Sequence, residues 1–212
     1  MVFMQKTLEE IELKGFKVVD KDFQRPWGGF LVIDESQAQD FSNLSFGNSS
    51  AKVKLKIYSS LTCPYCAEFH MKTLPKLLDS YVSKNMMYIE IMDFPLDYAA
   101  LNAAKIQKCL GIERQEEYLN NIYSNQSKWS NAKTLEKINE NLKNIFLEYN
   151  PNNSKFEECL KNKKIENHVL QDRIDAQKKY NIDSTPSIVI NEKKYSGSLK
   201  FDDLRVAINK LL

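Results

Sequence analysis

Between Ala51 and Ser60 the chain alternates Val53, Leu55 and Ile57 with Lys52, Lys54 and Lys56, a period of two that predicts a strand with one face more buried than the other. The segment SSLTCPYCAEFH, Ser59 to His70, overlaps its end. Beyond it Phe69, Leu74, Leu77, Leu78 and Tyr81 recur at helical spacing, with Pro75 kinking or restarting the helix. MMYIEIMDFP predicts the next strand. Strand, helix and strand then form one unit whose crossover is expected to be right-handed and whose strands are expected to be parallel. From Leu96 to Tyr180 the pattern is helical almost throughout, clearest in the stripe Leu135, Ile138, Leu142, Ile145, Phe146 and Tyr149. STPSIVINEKKYSG predicts two short strands, and FDDLRVAINKLL a closing amphipathic helix capped near Ser198 or Asp202.

Upstream, TLEEIEL carries a capping-box pattern, Thr7 three residues before Glu10, and predicts a short helix. FKVVD and FLVID read as short strands separated by the turn-rich RPWGG, and Phe41 to Ser50 reads as a loop. These elements divide the chain into an N-terminal arm (1–50), an α/β domain assembled from 51–95 and 181–212, and an inserted helical subdomain (96–180).

The charge balance narrows the partners. At 212 residues the formal net charge is +2, with no long block of one sign, so nothing selects for nucleic acid or an anionic membrane surface. No apolar run approaches the ~18 to 20 residues of a membrane span, and Lys6, Glu9, Glu10, Glu12 and Lys14 exclude a signal-peptide core at the start. The expectation is a cytosolic protein or the processed form of an exported one.

The cysteines carry the candidate chemistry. Cys63 and Cys66 form a close pair, Cys109 and Cys159 a distant one. Structural zinc would want the second pair closely spaced as well, so no metal site is expected. With Pro64 at the first helical position, where its missing N–H costs nothing, Cys63 falls at the N-cap. Its sulfur then faces the free N–H groups of Tyr65 and Cys66, which together with the helix dipole favour a thiolate. Cys63 is the candidate nucleophile. Cys66, nearly one turn on, can attack a mixed disulfide formed at Cys63 and is the candidate resolving thiol. Two cysteines that merely pack are the alternative; the strand before them and the cap position favour a redox pair. Far downstream, Thr185 and Pro186 precede an apolar strand. In the order of elements this segment resembles the cis-proline loop that faces the CxxC helix in thioredoxin-like folds, which implies a cis Pro186 holding the Thr185 backbone open beside Cys63 for an extended peptide to pair with; the alternative is an ordinary turn proline.

With these motifs in place, YSSLTCPYCAEFH, FPLDYAA, KCLGI, ECL, STPSIVIN and KKYSGSLKFDDL, the chain from about residue 45 to 212 resembles the DsbA-type thiol:disulfide oxidoreductases, in their alphaproteobacterial branch. The resemblance implies a thioredoxin fold with a helical insertion, a periplasmic location, and oxidation of cysteines in reduced or unfolded exported proteins without a cofactor. It maps the exposed nucleophile to Cys63, its partner to Cys66, and the cis-proline loop to Thr185 and Pro186. It also implies a second, non-catalytic disulfide between Cys109 and Cys159. Two positions depart from the pattern. Tyr65 stands where many relatives carry His, making the motif CPYC as in glutaredoxins, and Ile57 stands where thioredoxin-fold relatives commonly carry a buried acid that assists proton transfer from the second cysteine. Pro64 and Tyr65 are thus expected to modulate the site.

The leading expectation is a monomeric oxidase, returned to its oxidised form by a membrane partner of the DsbB type. An isomerase or reductase that oligomerises through its first 45 or so residues is a second reading, and a binding module with a structural CxxC a third. His70 is expected to make a packing contact, His168 shows no partner, and Trp27 and Trp129 read as packing residues.

Overall fold

The computed structural model describes residues 16–18, 32–34 and 41–212, in two units divided between Asp40 and Phe41. In the first unit, β1 (Phe16–Val18) pairs antiparallel with β2 (Val32–Asp34), which agrees with the two short strands read there. The expected helix over 7–13 and Trp27 lie outside the described residues.

The second unit is built on a five-stranded sheet of order β3-β5-β4-β6-β7. Its strands are β3 (Ser45–Phe46), β4 (Val53–Ser59), β5 (Met87–Asp93), β6 (Ser187–Ile190) and β7 (Lys193–Tyr195). β4 and β5 are parallel, as the strand, helix, strand reading required, and every other pairing is antiparallel. The lysine alternation of β4 keeps its meaning. Val53, Leu55 and Ile57 are buried and lie in register with Met87, Ile89 and Ile91. Reading Phe41 to Ser50 as pure loop needs correction, because Ser45 and Phe46 pair with Glu90 and Ile89. The sheet therefore begins before the arm boundary drawn at residue 50. Gly47 then turns the chain at φ +88°, and a Cβ there would sit 2.5 Å from the Met87 carbonyl oxygen, so only glycine fits.

Between β4 and β5 the helix is not uniform. Its first part is α1 (Pro64–Glu68); a π-helical turn over Phe69–Thr73 follows, then α2 (Leu74–Leu77) and a second π-helical turn over Leu78–Val82. Pro75 sits in the first turn of α2, where its lack of an N–H is tolerated, and the π turn before it realigns the helix.

Helices α3 (Tyr98–Cys109), α4 (Ile112–Ser124), α5 (Gln126–Ser130), α6 (Leu135–Tyr149), α7 (Asn153–Lys161) and α8 (Lys163–Tyr180) fill the space between β5 and β6. Side-chain caps start most of them: Asp97 for α3, Thr134 for α6, Asn152 for α7 and Asn162 for α8. α9 (Phe201–Asn209) closes the chain. Its cap position is Lys200, between the two candidates: Ser198 Oγ accepts from the Lys200 amide, and Asp202 and Asp203 lie in the first turn, where their charge suits the helix dipole.

One sheet face and the inner faces of α1, α3, α4, α6 and α7 make the main core, which contains Ile57, Ile91, Tyr118, Ile122, Trp129, Phe146 and both site cysteines. Trp129 is a packing residue here, its indole N–H bonded to the Ile122 carbonyl at 3.0 Å. A smaller cluster on the opposite face joins Tyr58, Phe94 and Val189 to Ala176, Tyr180 and Ile182. Among the described residues no helix is long and apolar enough to cross a membrane.

Candidate active site

The site forms where parallel strands end, the position that an α/β sheet leaves open for chemistry. β4 delivers the chain to Ser60, Leu61 and Thr62, and Cys63 caps α1 in an extended conformation (φ −79°, ψ 119°) with Pro64 directly after it. The Cys63 carbonyl accepts from the Cys66 and Ala67 amides at 3.1 and 3.2 Å. The insertion braces the loop: Gln126, at the start of α5, donates its side-chain amide to the Leu61 and Cys63 carbonyls at 2.9 and 3.0 Å. Thr62 donates to Asp97, the cap of α3, at 2.8 Å. Neither Gln126 nor Asp97 was singled out from sequence, because a single polar side chain reaching a loop 35 or 65 residues away leaves no local pattern.

Cys63 and Cys66 are both free thiols, and both are buried, at 7% and 1% exposure. The exposed nucleophile that the resemblance implied is therefore corrected. Cys63 is shielded by the Thr185 segment, and its thiol donates to the Thr185 carbonyl at 3.4 Å. Nor does the neutral thiol make a capping hydrogen bond to the helix amides. The electrostatics favour the thiolate all the same. Hydrogen bonding from the Cys66 thiol is the largest cause, burial opposes it, and the Thr185 side chain and the Cys66 and Tyr65 amides add to it, so the Cys63 pKa falls to about 5. Cys66 moves the opposite way. Burial and the hydrogen bond it gives to Cys63 push it well above the ordinary thiol range.

Pro64 opens α1, and Tyr65 points to solvent at 72% exposure. The Thr185–Pro186 peptide bond is cis. A groove of about 560 Å³ runs from this segment along α1 to the start of α9, lined by Tyr65, Phe69, Thr185, Pro186, Leu199 and Phe201. Ile57 is buried beneath the loop, so no acid occupies that position. His70, one turn beyond Cys66, packs on Tyr123 with ring centroids 4.8 Å apart and bonds Asn120 at 2.8 Å; burial lowers its pKa. His168 lies 6.1 Å from the Phe41 ring.

Cys109 and Cys159 stand apart from this site. They join the end of α3 to α7 as a disulfide, with Cα atoms 5.8 Å apart. Among the described residues no group of His, Cys, Asp and Glu side chains is arranged to hold a metal ion.

Comparison with known proteins is consistent with this geometry. The sequence profile of the family described as thioredoxin matches residues 41–210. A Rickettsia conorii protein provisionally named a protein-disulfide oxidoreductase is 27% identical over 174 residues, which is 82% of this chain and 61% of that protein. The chain thus spans about three fifths of the length of such relatives. Among solved structures, Wolbachia pipientis alpha-DsbA1 superposes with a TM-score of 0.71 at 26% identity, covering 80% of this chain and 90% of that one. BdbD from Bacillus subtilis, at 17% identity and a TM-score of 0.67 over 80% of this chain and 92% of that one, shares the fold. Residues 41–212 therefore have the thioredoxin fold with a helical insertion that the sequence led us to expect.

Proposed function

Because the chain belongs to the thioredoxin family, in its DsbA-type branch, we propose that it is a thiol:disulfide oxidoreductase that oxidises cysteines of other proteins through Cys63 and Cys66. One observation carries this reading: two adjacent thiols whose pKa values are driven apart, Cys63 down and Cys66 up. A cysteine that leaves readily as a thiolate makes its disulfide an easy target and its reduced form stable, which is what an oxidant needs. In the forward reaction a substrate thiolate attacks Cys63 of the Cys63–Cys66 disulfide and Cys66 leaves as the electron pair moves to its sulfur. A second substrate thiolate then attacks the substrate sulfur of the mixed disulfide and expels Cys63, leaving both site cysteines reduced and the substrate oxidised.

Thr185 and Pro186 are the substrate-binding segment in this reading. The Thr185 carbonyl already faces Cys63 and is placed to take part in main-chain pairing with an extended peptide. Pro64 and Tyr65 modulate the pair from the first turn of α1, and Cys109–Cys159 is the structural disulfide. The substrates are reduced or unfolded exported proteins in the periplasm, an oxidising compartment that suits the second disulfide. A membrane reoxidant of the DsbB type returns the reduced site to its disulfide, and the enzyme works as a monomer without a cofactor. The test is the equilibrium of the Cys63–Cys66 pair with glutathione. The oxidase reading expects a potential above the glutaredoxin range of about −200 to −230 mV and below the strong-oxidant value of about −120 mV. A value near the thioredoxin potential of about −270 mV overturns it in favour of a reductase.

A further inference from the structure

The groove beside the cis-proline segment is apolar inside and charged around its rim. The helix after Cys63 supplies one wall through Tyr65, Glu68, Phe69, Lys72 and Lys76, which recur at helical spacing and so share one side. Leu199, Lys200, Phe201 and Asp202, around the start of α9, supply the other. Phe69 is buried and Leu199 and Phe201 are half-buried, so they can receive an apolar side chain but cannot discriminate by charge.

The rim charges do not cancel. Glu68 pairs with Lys72 at 2.9 Å, one turn on, and Asp202 has Arg205 at 3.5 Å on its own helix. Each acid of the rim is therefore answered by a cation of its own element. Lys76 and Lys200 are both exposed, and among the described residues neither ammonium has a carboxylate partner. Lys76 lies instead over the Phe201 ring, 5.8 Å from its centroid, which ties the ammonium to the opposite wall. The groove thus presents two positive charges that the described residues leave unneutralised.

We propose that Lys76 and Lys200 make this groove selective for substrate segments that carry an acidic residue on the flank of the reacting cysteine. The proposal rests on the oxidase reading and on the Thr185 segment as the place where substrate backbone pairs. From Cys63 to Lys76 the helix advances about 15 to 20 Å at ~1.5 Å per residue, and an extended peptide covers that in about five or six residues. A carboxylate that far from the substrate cysteine meets the two ammoniums, while an apolar side chain between them rests on Phe69, Leu199 and Phe201. A lysine in the same place meets like charge. The occupant is a peptide because the groove combines these cations with the Thr185 segment and an apolar floor, neither of which a free anion would use. Both ammoniums stay in water, so the attraction acts mainly on the rate of encounter and is screened by salt.

The test uses a two-cysteine peptide in three forms, with Glu, Gln or Lys about five residues outward on both sides of its cysteines, mixed with the protein in its Cys63–Cys66 disulfide form. At low ionic strength the oxidised peptide, followed by chromatography after acid quenching, is expected to form about fivefold faster with Glu than with Lys, with Gln between. At ~1 M salt, where the screening length is ~3 Å, the ratio should approach one. Peptide charge also shifts the acidity of the peptide thiols, so the decisive comparison is between proteins. Lys76→Gln combined with Lys200→Gln should remove the preference, and Lys76→Glu combined with Lys200→Glu should invert it, an outcome that loss of packing does not produce. The same Glu-to-Lys ratio in the unaltered and the charge-reversed protein overturns the selectivity and leaves the oxidase reading standing. Self-association of the protein that none of the peptides displaces would give the groove to a second copy and likewise overturn the selectivity. Reduction of the protein by dithiothreitol without oxidation of any of the peptides overturns the oxidase reading, and the selectivity with it.

Discussion

The chain carries two cysteine pairs, and the contrast between them shows that reactivity here is a property of surroundings. Cys109 and Cys159, 50 residues apart, end one helix and ride another, and their bond ties α3 to α7. Cys63 and Cys66 sit at the start of a single helix, with amides, the Thr185 carbonyl just before the neighbouring strand β6 and each other as partners. The first pair shortens the unfolded chain's freedom. The second leaves one sulfur able to carry negative charge and the other not. Both pairs lie in or against the same core, so burial alone does not separate them.

The largest effects come from removing the site thiols. Cys63→Ser should abolish both oxidation and reduction of a model peptide, while Cys66→Ser should accumulate mixed disulfides at Cys63, read by mass spectrometry of the trapped adduct. Adducts gathering at Cys109 instead would erase the distinction between the pairs.

Next comes the distant pair. Replacing Cys109 and Cys159 together by Ala should cost about 4 kcal/mol by the chain-entropy argument for a loop of this length, seen as a lower melting temperature. The potential of Cys63–Cys66 should stay nearly constant, since among the described residues the two sites share no hydrogen-bonding partner. A large change in potential with folding intact would mean that the distant pair takes part in the chemistry.

The third effect depends on pH and belongs to the close pair alone. Cys63 has a folded pKa near 5, below its ordinary value of about 9. The unfolded reduced chain therefore binds the extra proton between those values, and reduced-state stability should rise with pH across that window and be lost as pH falls through about 5. Above the ordinary thiol range the raised Cys66 works the other way. The oxidised protein has neither thiol and should show no such rise. Denaturant midpoints of both forms over this range provide the check.

Tyr65→His is the smallest of these changes. Tyr65 is exposed and offers the thiolate no positive charge, whereas a histidine could donate a ring N–H or carry partial charge. The variant should have a lower Cys63 pKa and be more oxidising, each 30 mV corresponding to ~1.4 kcal/mol. An unchanged or raised Cys63 pKa would show that position 65 does not set the poise.

What the sequence revealed about these sites follows from how local each signal is. The cap position of Cys63, the strand before it and the helical insertion were legible because alternation, helical stripes and a proline after a cysteine are short-range patterns. β3 was missed because two residues cannot show an alternation. The buried charges were hidden for a different reason: Lys108, Asp93 and Asp172 read as solvated residues until the fold brings them together, with Asn43 bridging Lys108 at 2.6 Å and Asp172 at 2.9 Å.

The central claim, that the fold drives the two adjacent thiols apart in acidity, is tested most directly by the ultraviolet absorbance of the thiolate in the protein with Cys63 and Cys66 reduced and Cys109–Cys159 intact. The account predicts one thiolate appearing with a midpoint near pH 5, lost in Cys63→Ser, and no second thiolate until well above the ordinary thiol range. Two thiolates rising together near the free cysteine value of about 8.5 would contradict it.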